Sequence, residues 1–368
     1  MRLKLTCVLL AVLLPNAVAA EPPDEAAFAR LTADLVASHV LPRYAVLRSA
    51  AGDLQAATTA FCTAPDATGL AAVREAFQST SGAWAAIEHV RFGPIEFLTR
   101  HERMSFWPDR RNATSKALTS LIGNTELALD QPRVYINQSA AGQGLPAIER
   151  LLFSDGVLPA DFMGAEGGDR RCAVLRGIVG NVAAIASDTA SAWLEGDPPF
   201  KDYFATVGED NAYFATHAEG AVAFVKSLMD GLYALSEVKL VRPLGASPEE
   251  ARPRRAEQWR SGRTLAIVSA NLNALVEIAG PAEEGRLAAL ALQSGAPSEA
   301  ADIAGRLQAA ADLLATIDSP LDEALADPDV WAQIDGVRQE IAAIRTAFET
   351  QSLPALGLSA GFNRFDGD

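Results

Sequence analysis

The chain has little of what most enzyme classes use for catalysis. Its 368 residues include only four histidines and three cysteines. No Cys-x-x-Cys pair, no Cys-x-x-Cys-His haem-attachment sequence and no Gly-x-x-x-x-Gly-Lys-Ser/Thr phosphate loop occurs, and no Gly-x-Ser-x-Gly sequence has a strand-turn-helix setting. His101-Glu102 begins like the zinc-protease helix His-Glu-x-x-His, but residue 105 is Ser105. These absences exclude the common hydrolase, nucleotide and redox sites.

Basic residues are also scarce. Lysine and arginine number 31 against 46 aspartates and glutamates, for a net charge of −15. This balance argues against nucleic acid and against anionic membrane surfaces as partners, because both attract basic proteins. It is compatible with cationic partners or metals, and equally with acidity that only keeps an exported protein soluble.

A hydrophobic run long enough to span a bilayer is missing. The apolar stretch Leu5 to Leu14 is too short, follows Arg2 and Lys4, and precedes the small-residue pattern Ala17-Val18-Ala19. This is the pattern of a secretory signal peptide, here residues 1–20. We therefore expect a periplasmic protein that does not span the membrane. The mature chain of 348 residues keeps 29 basic and 46 acidic residues, a net charge of −17.

Two cysteines remain after cleavage of the signal peptide, Cys62 and Cys172. An even number in an oxidising compartment predicts one structural disulfide. It would close a loop of about 110 residues, worth at most roughly 4–5 kcal/mol by the chain-entropy account.

Apolar residues recur with helical spacing, and no stretch alternates as a strand would. Glu195-Gly-Asp-Pro-Pro199 is the best domain boundary. We expect an all-α chain with a signal peptide (1–20), an N-terminal helical-bundle domain (21–197) and a C-terminal one (198–368). The expected helices are 21–64 with a break or bend at Leu41-Pro42, 68–90, 113–128, one starting at Pro146, 172–193, 213–236, 255–278, 284–294, 298–317 and 328–350.

The chain is organised around the stretch Gln138–Phe153. A Gly-Gln-Gly loop ends one element, and Pro146 suits the first turn of the next helix. Glu149 lies at the edge of the apolar stripe of that helix, where an unpaired charge is expensive. It therefore needs a partner or a metal. Glu88 shares an apolar face in the same way, and a local ion pair with Arg91 is the structural explanation.

Several pieces of the sequence stand out together. They are Trp84-Ala-Ala-Ile-Glu88, Arg91-Phe-Gly-Pro94, Phe106-Trp-Pro108, Gly144 to Phe153, Glu257 to Gly262, Gly361-Phe-Asn363 and Asp366-Gly-Asp368. In combination these pieces resemble the imelysin-like (peptidase M75) family of exported bacterial proteins. They occur in the family's order and cover nearly all of the mature chain. The resemblance implies an all-α fold of two helical bundles packed side by side, in the periplasm or at the outer membrane. It also implies a link to iron or haem acquisition or, as for the founding member, to proteolysis.

The family's motif Gly-x-His-x-x-Glu is broken in this chain. Its glycine corresponds to Gly144 and its glutamate to Glu149, but Pro146 stands at the histidine position and has no ligating atom. The other histidines, at 39, 89, 101 and 217, lie in no recognisable metal pattern. We therefore assign no catalytic residue and expect a binding protein rather than an enzyme.

The favoured interpretation is a non-catalytic component that binds a metal, another ligand or a partner, linked to iron or haem uptake or to an outer-membrane partner. Its cofactor is unknown, with a divalent metal or iron as candidates. Glu88 and Glu149 are candidate ligands, and such a site can hold an anion instead if the carboxylates are satisfied internally. The alternatives are an M75-type metallopeptidase and a structural or interaction module for a membrane transporter. The predicted site residues are Glu88, Arg91, Gly144, Glu149, Glu257, Trp259, Arg260 and Arg263, with Arg254 nearby.

Overall fold

A computed structural model describes residues 21–129, 132–280 and 286–359. Within these ranges the chain is all-α, with no strand, as the sequence predicts. The predicted signal peptide and the two C-terminal pieces between 361 and 368 lie outside the described residues.

Eighteen α-helices fall within the described ranges. They are α1 Glu25–Asp34, α2 Leu41–Thr63, α3 Ala67–Ala85, α4 Arg100–Met104, α5 Ala113–Gly123, α6 Pro132–Ile136, α7 Leu145–Phe153, α8 Asp169–Leu194, α9 Asp202–Ala205, α10 His217–Tyr233, α11 Val241–Leu244, α12 Thr264–Ala279, α13 Leu287–Gln293, α14 Ser298–Ala301, α15 Ile303–Ala315, α16 Leu321–Ala326, α17 Pro328–Ala347 and α18 Leu353–Ala355.

Shorter helical segments of other pitch connect them. The π-helical segments are Leu35–Val40, Gly164–Gly168, Ala234–Lys239 and Phe348–Ser352. The 3₁₀ segments are Gly93–Thr99, Ala140–Gly142, Pro159–Phe162, Pro248–Glu250 and Pro253–Arg255.

The bend predicted at Leu41-Pro42 takes the form of a π-helical segment that joins α1 to α2. Pro42 has no N–H to donate to the preceding turn, so the helix cannot continue there with regular bonds. The turn widens instead, and the Leu41 N–H donates to the carbonyl of Val36, five residues back. The segment carries His39 into the core.

The long helices pack on one another around a single apolar cluster. Helix α2 packs against α3 and α8, α12 packs against α15 and α3, and α1 packs against α10. Buried residues from both halves of the chain belong to the same cluster. The predicted division into two domains at residues 197 and 198 stays a prediction.

The predicted disulfide is present. Cys62 and Cys172 are bonded across 110 residues, with their Cα atoms 5.6 Å apart. The bond ties the end of α2 to the start of α8, two helices that also pack on each other.

Two helix predictions differ from the structure at places that matter for the site. Helix α3 ends at Ala85, so Glu88 lies in the turn after it rather than on its face. The stretch 256–263, predicted as the start of a long helix, is a series of turns that precedes α12. Gln258 and Gly262 both have left-handed backbones there, with φ of +53° and +69°, which a right-handed helix cannot contain.

No helix in the described part of the chain is both long and apolar enough to cross a membrane.

Candidate functional site

The motif glycine sets the position of the Glu149 helix. Gly144 precedes α7 with φ of +98°, a conformation that favours glycine. A Cβ atom at this position would lie 2.3 Å from the carbonyl oxygen of Met104, so only glycine lets the two segments approach this closely. Pro146 lies in the first turn of α7, as predicted.

Glu149 is buried, and one of its two carboxylate oxygens is hydrogen-bonded within the protein. Its Oε1 accepts hydrogen bonds from the Ser261 backbone N–H at 2.9 Å and from the Ser261 hydroxyl at 3.0 Å. Burial raises the pKa of the Glu149 carboxyl, although the Ser261 bonds and the charge of Arg260 oppose the rise. These hydrogen bonds connect the turn 256–263 to the Glu149 helix, α7.

Glu88 pairs with a lysine from the second half of the chain. The Lys239 ammonium contacts Glu88 Oε1, lies 2.7 Å from Glu257 Oε2 and donates to the Asn271 side-chain oxygen at 3.0 Å. The prediction of a local ion pair between Glu88 and Arg91 is therefore wrong. Arg91 lies 3.3 Å from Glu102 instead.

This cluster of Lys239, Glu88, Glu257 and Asn271 is almost closed to solvent. The Asn271 amide donates to Glu88 Oε1 at 2.7 Å and to the Ala85 carbonyl at 2.6 Å, which fixes the turn after α3. Burial alone would lower the pKa of Lys239, but the charges of Glu257 and Glu88 outweigh it and raise that pKa. Burial raises the pKa of Glu257, and the Lys239 charge limits the rise.

Two adjoining cavities meet at Glu257. The smaller has a volume of about 100 Å³ and the larger one of about 480 Å³. Glu257 lines both, together with Ser105 and the aromatic turn Trp107-Pro108. Pro146 and Glu149 line the larger cavity, and the Lys239 cluster lines the smaller one.

The structure brings most of the predicted site residues to these cavities. Glu88 and Arg91 line the smaller cavity, Glu149, Trp259 and Arg260 line the larger one, and Glu257 lines both. Arg254, also noted from the sequence, lines the larger cavity. Gly144 supports α7 from behind, and Arg263 precedes α12 without lining either cavity.

Sequence reasoning missed several residues of the site. Most of them are arginines, and the clusters Asp109-Arg-Arg111 and Arg252-Pro-Arg-Arg255 are a signal that was available, because basic clusters stand out in an acidic chain. Nothing local to Lys239 or Asn271 points to Glu88, more than 150 residues away. The missed residues are Arg110, Arg150, Lys239, Arg242, Arg255, Ser261 and Asn271.

The residues at the motif do not fit a metal held by this chain alone. Pro146 offers no ligand, Glu149 accepts from Ser261, and Glu88 accepts from Lys239 and Asn271. In the described ranges, no group of three or more His, Cys, Asp or Glu side chains is arranged to hold a metal ion. The role of Glu88 and Glu149 as metal ligands stays a prediction that metal titration would test.

Two histidines that look solitary in the sequence are neighbours in the fold. His39 and His89 place their Nε2 atoms 2.9 Å apart in the core, and His39 Nδ1 lies 3.6 Å from Glu277. Burial lowers the pKa of His39 to about 4 and that of His89 well below its usual value. Both rings are thus neutral at pH 7, and one nitrogen donates to the other.

Comparisons with known proteins agree with this architecture. The profile of the imelysin family, peptidase M75, matches residues 40–348. Iron-regulated protein A of Synechococcus elongatus is 23% identical over 321 residues, which cover 86% of this chain and 83% of that protein.

Two solved structures share the fold. An imelysin-like protein from Psychrobacter arcticum superposes with a TM-score of 0.73 at 20% identity, covering 94% of this chain and 100% of the other. A protein from Parabacteroides distasonis named as an iron-regulated protein A precursor gives 0.70 at 15% identity, covering 91% and 98%. The family profile spans most of the chain, which therefore belongs to the imelysin (peptidase M75) family.

Proposed function

We propose that this protein is an exported, non-catalytic binding component of an iron-related uptake process. Its ligand site is the larger cavity beside Glu149 and Glu257. The observation that carries the proposal is the position of this cavity: the motif helix α7, the aromatic turn at Trp107 and the turn 256–263 all contribute to its wall. A volume of about 480 Å³ suits a small molecule.

The chemistry of the motif supports binding over peptide hydrolysis. A metallopeptidase needs a metal with an open position and a carboxylate free to act as general base. Here the histidine position is Pro146, which offers no ligand, and Ser261 donates two hydrogen bonds to Oε1, one of the two carboxylate oxygens of Glu149. The missing ligand at residue 146 and the Ser261 bonds therefore favour binding over hydrolysis.

The iron link comes from the family, since two of the similar proteins are named for iron regulation. The periplasmic location comes from the signal-peptide pattern of residues 1–20. A periplasmic binding component needs a membrane transporter or outer-membrane protein to deliver to, and we include such a partner in the proposal.

The test is uptake of radioactive iron by iron-limited cells that lack the protein. Wild type restores uptake, whereas Pro146→Trp, which puts an indole into the larger cavity, does not. Val46→Trp is the matched control, because residue 46 is 58% exposed and lines neither cavity. Full restoration by Pro146→Trp, or metal-dependent peptide hydrolysis by the purified wild type, would overturn the proposal.

A further inference from the structure

The larger cavity has a charge opposite to that of the protein. The chain carries 46 acidic and 31 basic residues, yet six arginines line this one cavity. They come from segments far apart in the sequence, so the fold has gathered them. The six are Arg110, Arg150, Arg242, Arg254, Arg255 and Arg260.

These guanidinium groups form no close ion pair with the described carboxylates. Among residues 21–129, 132–280 and 286–359, none of the six forms an ion pair, although ten such pairs occur elsewhere. An acidic protein has no shortage of carboxylates with which to neutralise six arginines. Leaving them unpaired in one place costs stability through mutual repulsion, which is the usual sign of a binding site.

The repulsion is visible in the pKa values of two of the six. Burial lowers the pKa of Arg242, and the charges of Arg110 and Arg255 lower it further. Burial likewise lowers the pKa of Arg260 and the charge of Arg150 adds to the effect, which outweighs the opposing charges of Glu149, Asp155 and Asp109. An anion in the cavity would relieve both groups.

The three carboxylates that line the same cavity are already engaged. Asp109 accepts the backbone N–H groups of Ala113 and Thr114 at 2.7 and 2.9 Å, where it holds the start of α5. Glu149 accepts from Ser261, and Glu257 pairs with Lys239. Because these carboxylates already have partners, the charged groups left to bind a ligand in the cavity are the guanidinium groups.

Tryptophan rings hold three of the arginines in place. Arg242 lies over Trp107 at 5.9 Å, and Arg254 and Arg260 lie over Trp259 at 5.4 and 4.2 Å. Stacking restrains the plane of a guanidinium and leaves its N–H edge free for bidentate bonds to a carboxylate. The indoles also give the wall apolar surface that suits a carbon skeleton.

The volume favours a ligand larger than a small inorganic anion. A cavity of about 480 Å³ corresponds to roughly sixteen water volumes, far more than one phosphate fills. Several separated guanidinium groups around such a space match several separated acidic groups on one molecule.

We propose that the larger cavity binds an organic polycarboxylate, a carbon-framed molecule with two or more carboxylates, through its arginines. This inference rests on the proposed function, since both place the ligand in this cavity, and it adds the chemical class of that ligand.

Calorimetric titration with citrate as the probe tests the inference. Wild type is compared with the double variant Arg150→Gln/Arg260→Gln and with Arg306→Gln as the matched control. Arg306 lies outside the cavity and pairs with Glu340. We expect citrate to bind wild type and the control equally, and the double variant to lose about tenfold in affinity for each guanidinium removed. Inorganic phosphate should bind at least about tenfold more weakly than citrate, and added salt should weaken citrate binding.

Three results would overturn the inference: no citrate binding at millimolar concentration, equal citrate affinity in the double variant, or phosphate affinity equal to that of citrate. The iron-uptake assay separates this failure from failure of the proposed function. If Pro146→Trp abolishes uptake while Arg150→Gln/Arg260→Gln supports it fully, the cavity is used but the polycarboxylate class is wrong. If both variants support full uptake, the proposed function falls as well.

Discussion

Replacing Lys239 with methionine should be severely destabilising. The Lys239 side chain is 8% exposed and lies between the carboxylates of Glu88 and Glu257, which are 14% and 7% exposed. Methionine fills a similar volume but leaves two buried negative charges without their cation. Removal of one partner from a buried ion pair costs about 3–5 kcal/mol. Since a domain is stabilised by only about 5–15 kcal/mol in total, the loss is a large fraction of the free energy of unfolding.

The loss should shrink as the pH falls. Burial already raises the pKa of Glu257 in the wild type, and the Lys239 charge holds it down. Without Lys239 the pKa of Glu257 rises further, so the folded variant takes up a proton at a pH where the unfolded chain does not. A group with a raised folded-state pKa stabilises the fold increasingly as the pH falls. The deficit of Lys239→Met relative to wild type should therefore be smaller at pH 5 than at pH 7.

Urea denaturation followed by circular dichroism at both pH values measures this deficit. Lys201→Met is the control, because the Lys201–Asp202 pair is 38% exposed on both sides and should cost no more than about 1 kcal/mol. Adding Glu88→Gln and Glu257→Gln to Lys239→Met should recover much of the loss, since no buried charge remains unpaired. A deficit below about 1 kcal/mol at pH 7, or a deficit that does not change with pH, would show that Lys239 does not neutralise two buried carboxylates.

Further predictions concern the motif glycine, the disulfide and the buried histidine. Gly144→Ala should lower the free energy of unfolding by about 2 kcal/mol or more, because Gly144 has a positive φ and a Cβ atom there would meet backbone atoms. Gly52→Ala in the middle of α2 should raise it by about 0.5–1 kcal/mol, because the space around a Cβ atom there is open. Equal effects of the two substitutions in urea denaturation would contradict this. Cys62→Ser/Cys172→Ser should lower the thermal midpoint through a loss of about 2–5 kcal/mol, and an unchanged midpoint would contradict it. Because the pKa of His39 is lowered to about 4, the unfolded chain binds more protons than the folded one between about pH 6.5 and 4. The free energy of unfolding of the wild type should therefore decrease as the pH falls from about 6.5 to 4. His39→Gln should make this decrease shallower. An equally steep decrease in the variant would count against a neutral buried His39 ring.

The sequence predicts the helices well wherever apolar periodicity alone decides the structure. Helix α8, Asp169–Leu194, agrees within a few residues with the predicted 172–193, because its apolar stripe is long and regular. The start of α7 was also predictable, because Gly144 and Pro146 are local signals for the beginning of a helix. The stretch 256–263 was not, since contacts with residues distant in sequence hold its turns, among them those of Ser261 with Glu149 and of Glu257 with Lys239.

The site was only partly predictable, because its partners are far apart in the chain. Local spacing predicts Arg91 as the ion-pair partner of Glu88. In the fold the partner is the buried Lys239, which lies 151 residues away in the sequence. Glu149 could be found from its position beside the apolar stripe of α7. The basic clusters at 109–111 and 252–255 mark some of the arginines. Their meeting with Arg150 and Arg242 could not be predicted, since only the fold brings these separate segments to one cavity.

Native mass spectrometry can show directly what the larger cavity holds, when the protein is purified without dialysis from the cells that make it. Wild type is measured beside Arg150→Gln/Arg260→Gln. We expect an adduct with the mass of a small organic acid on the wild type and much less of it on the variant. A metal ion alone, bound equally to both proteins at one per chain, would rule out an organic acid held by these arginines.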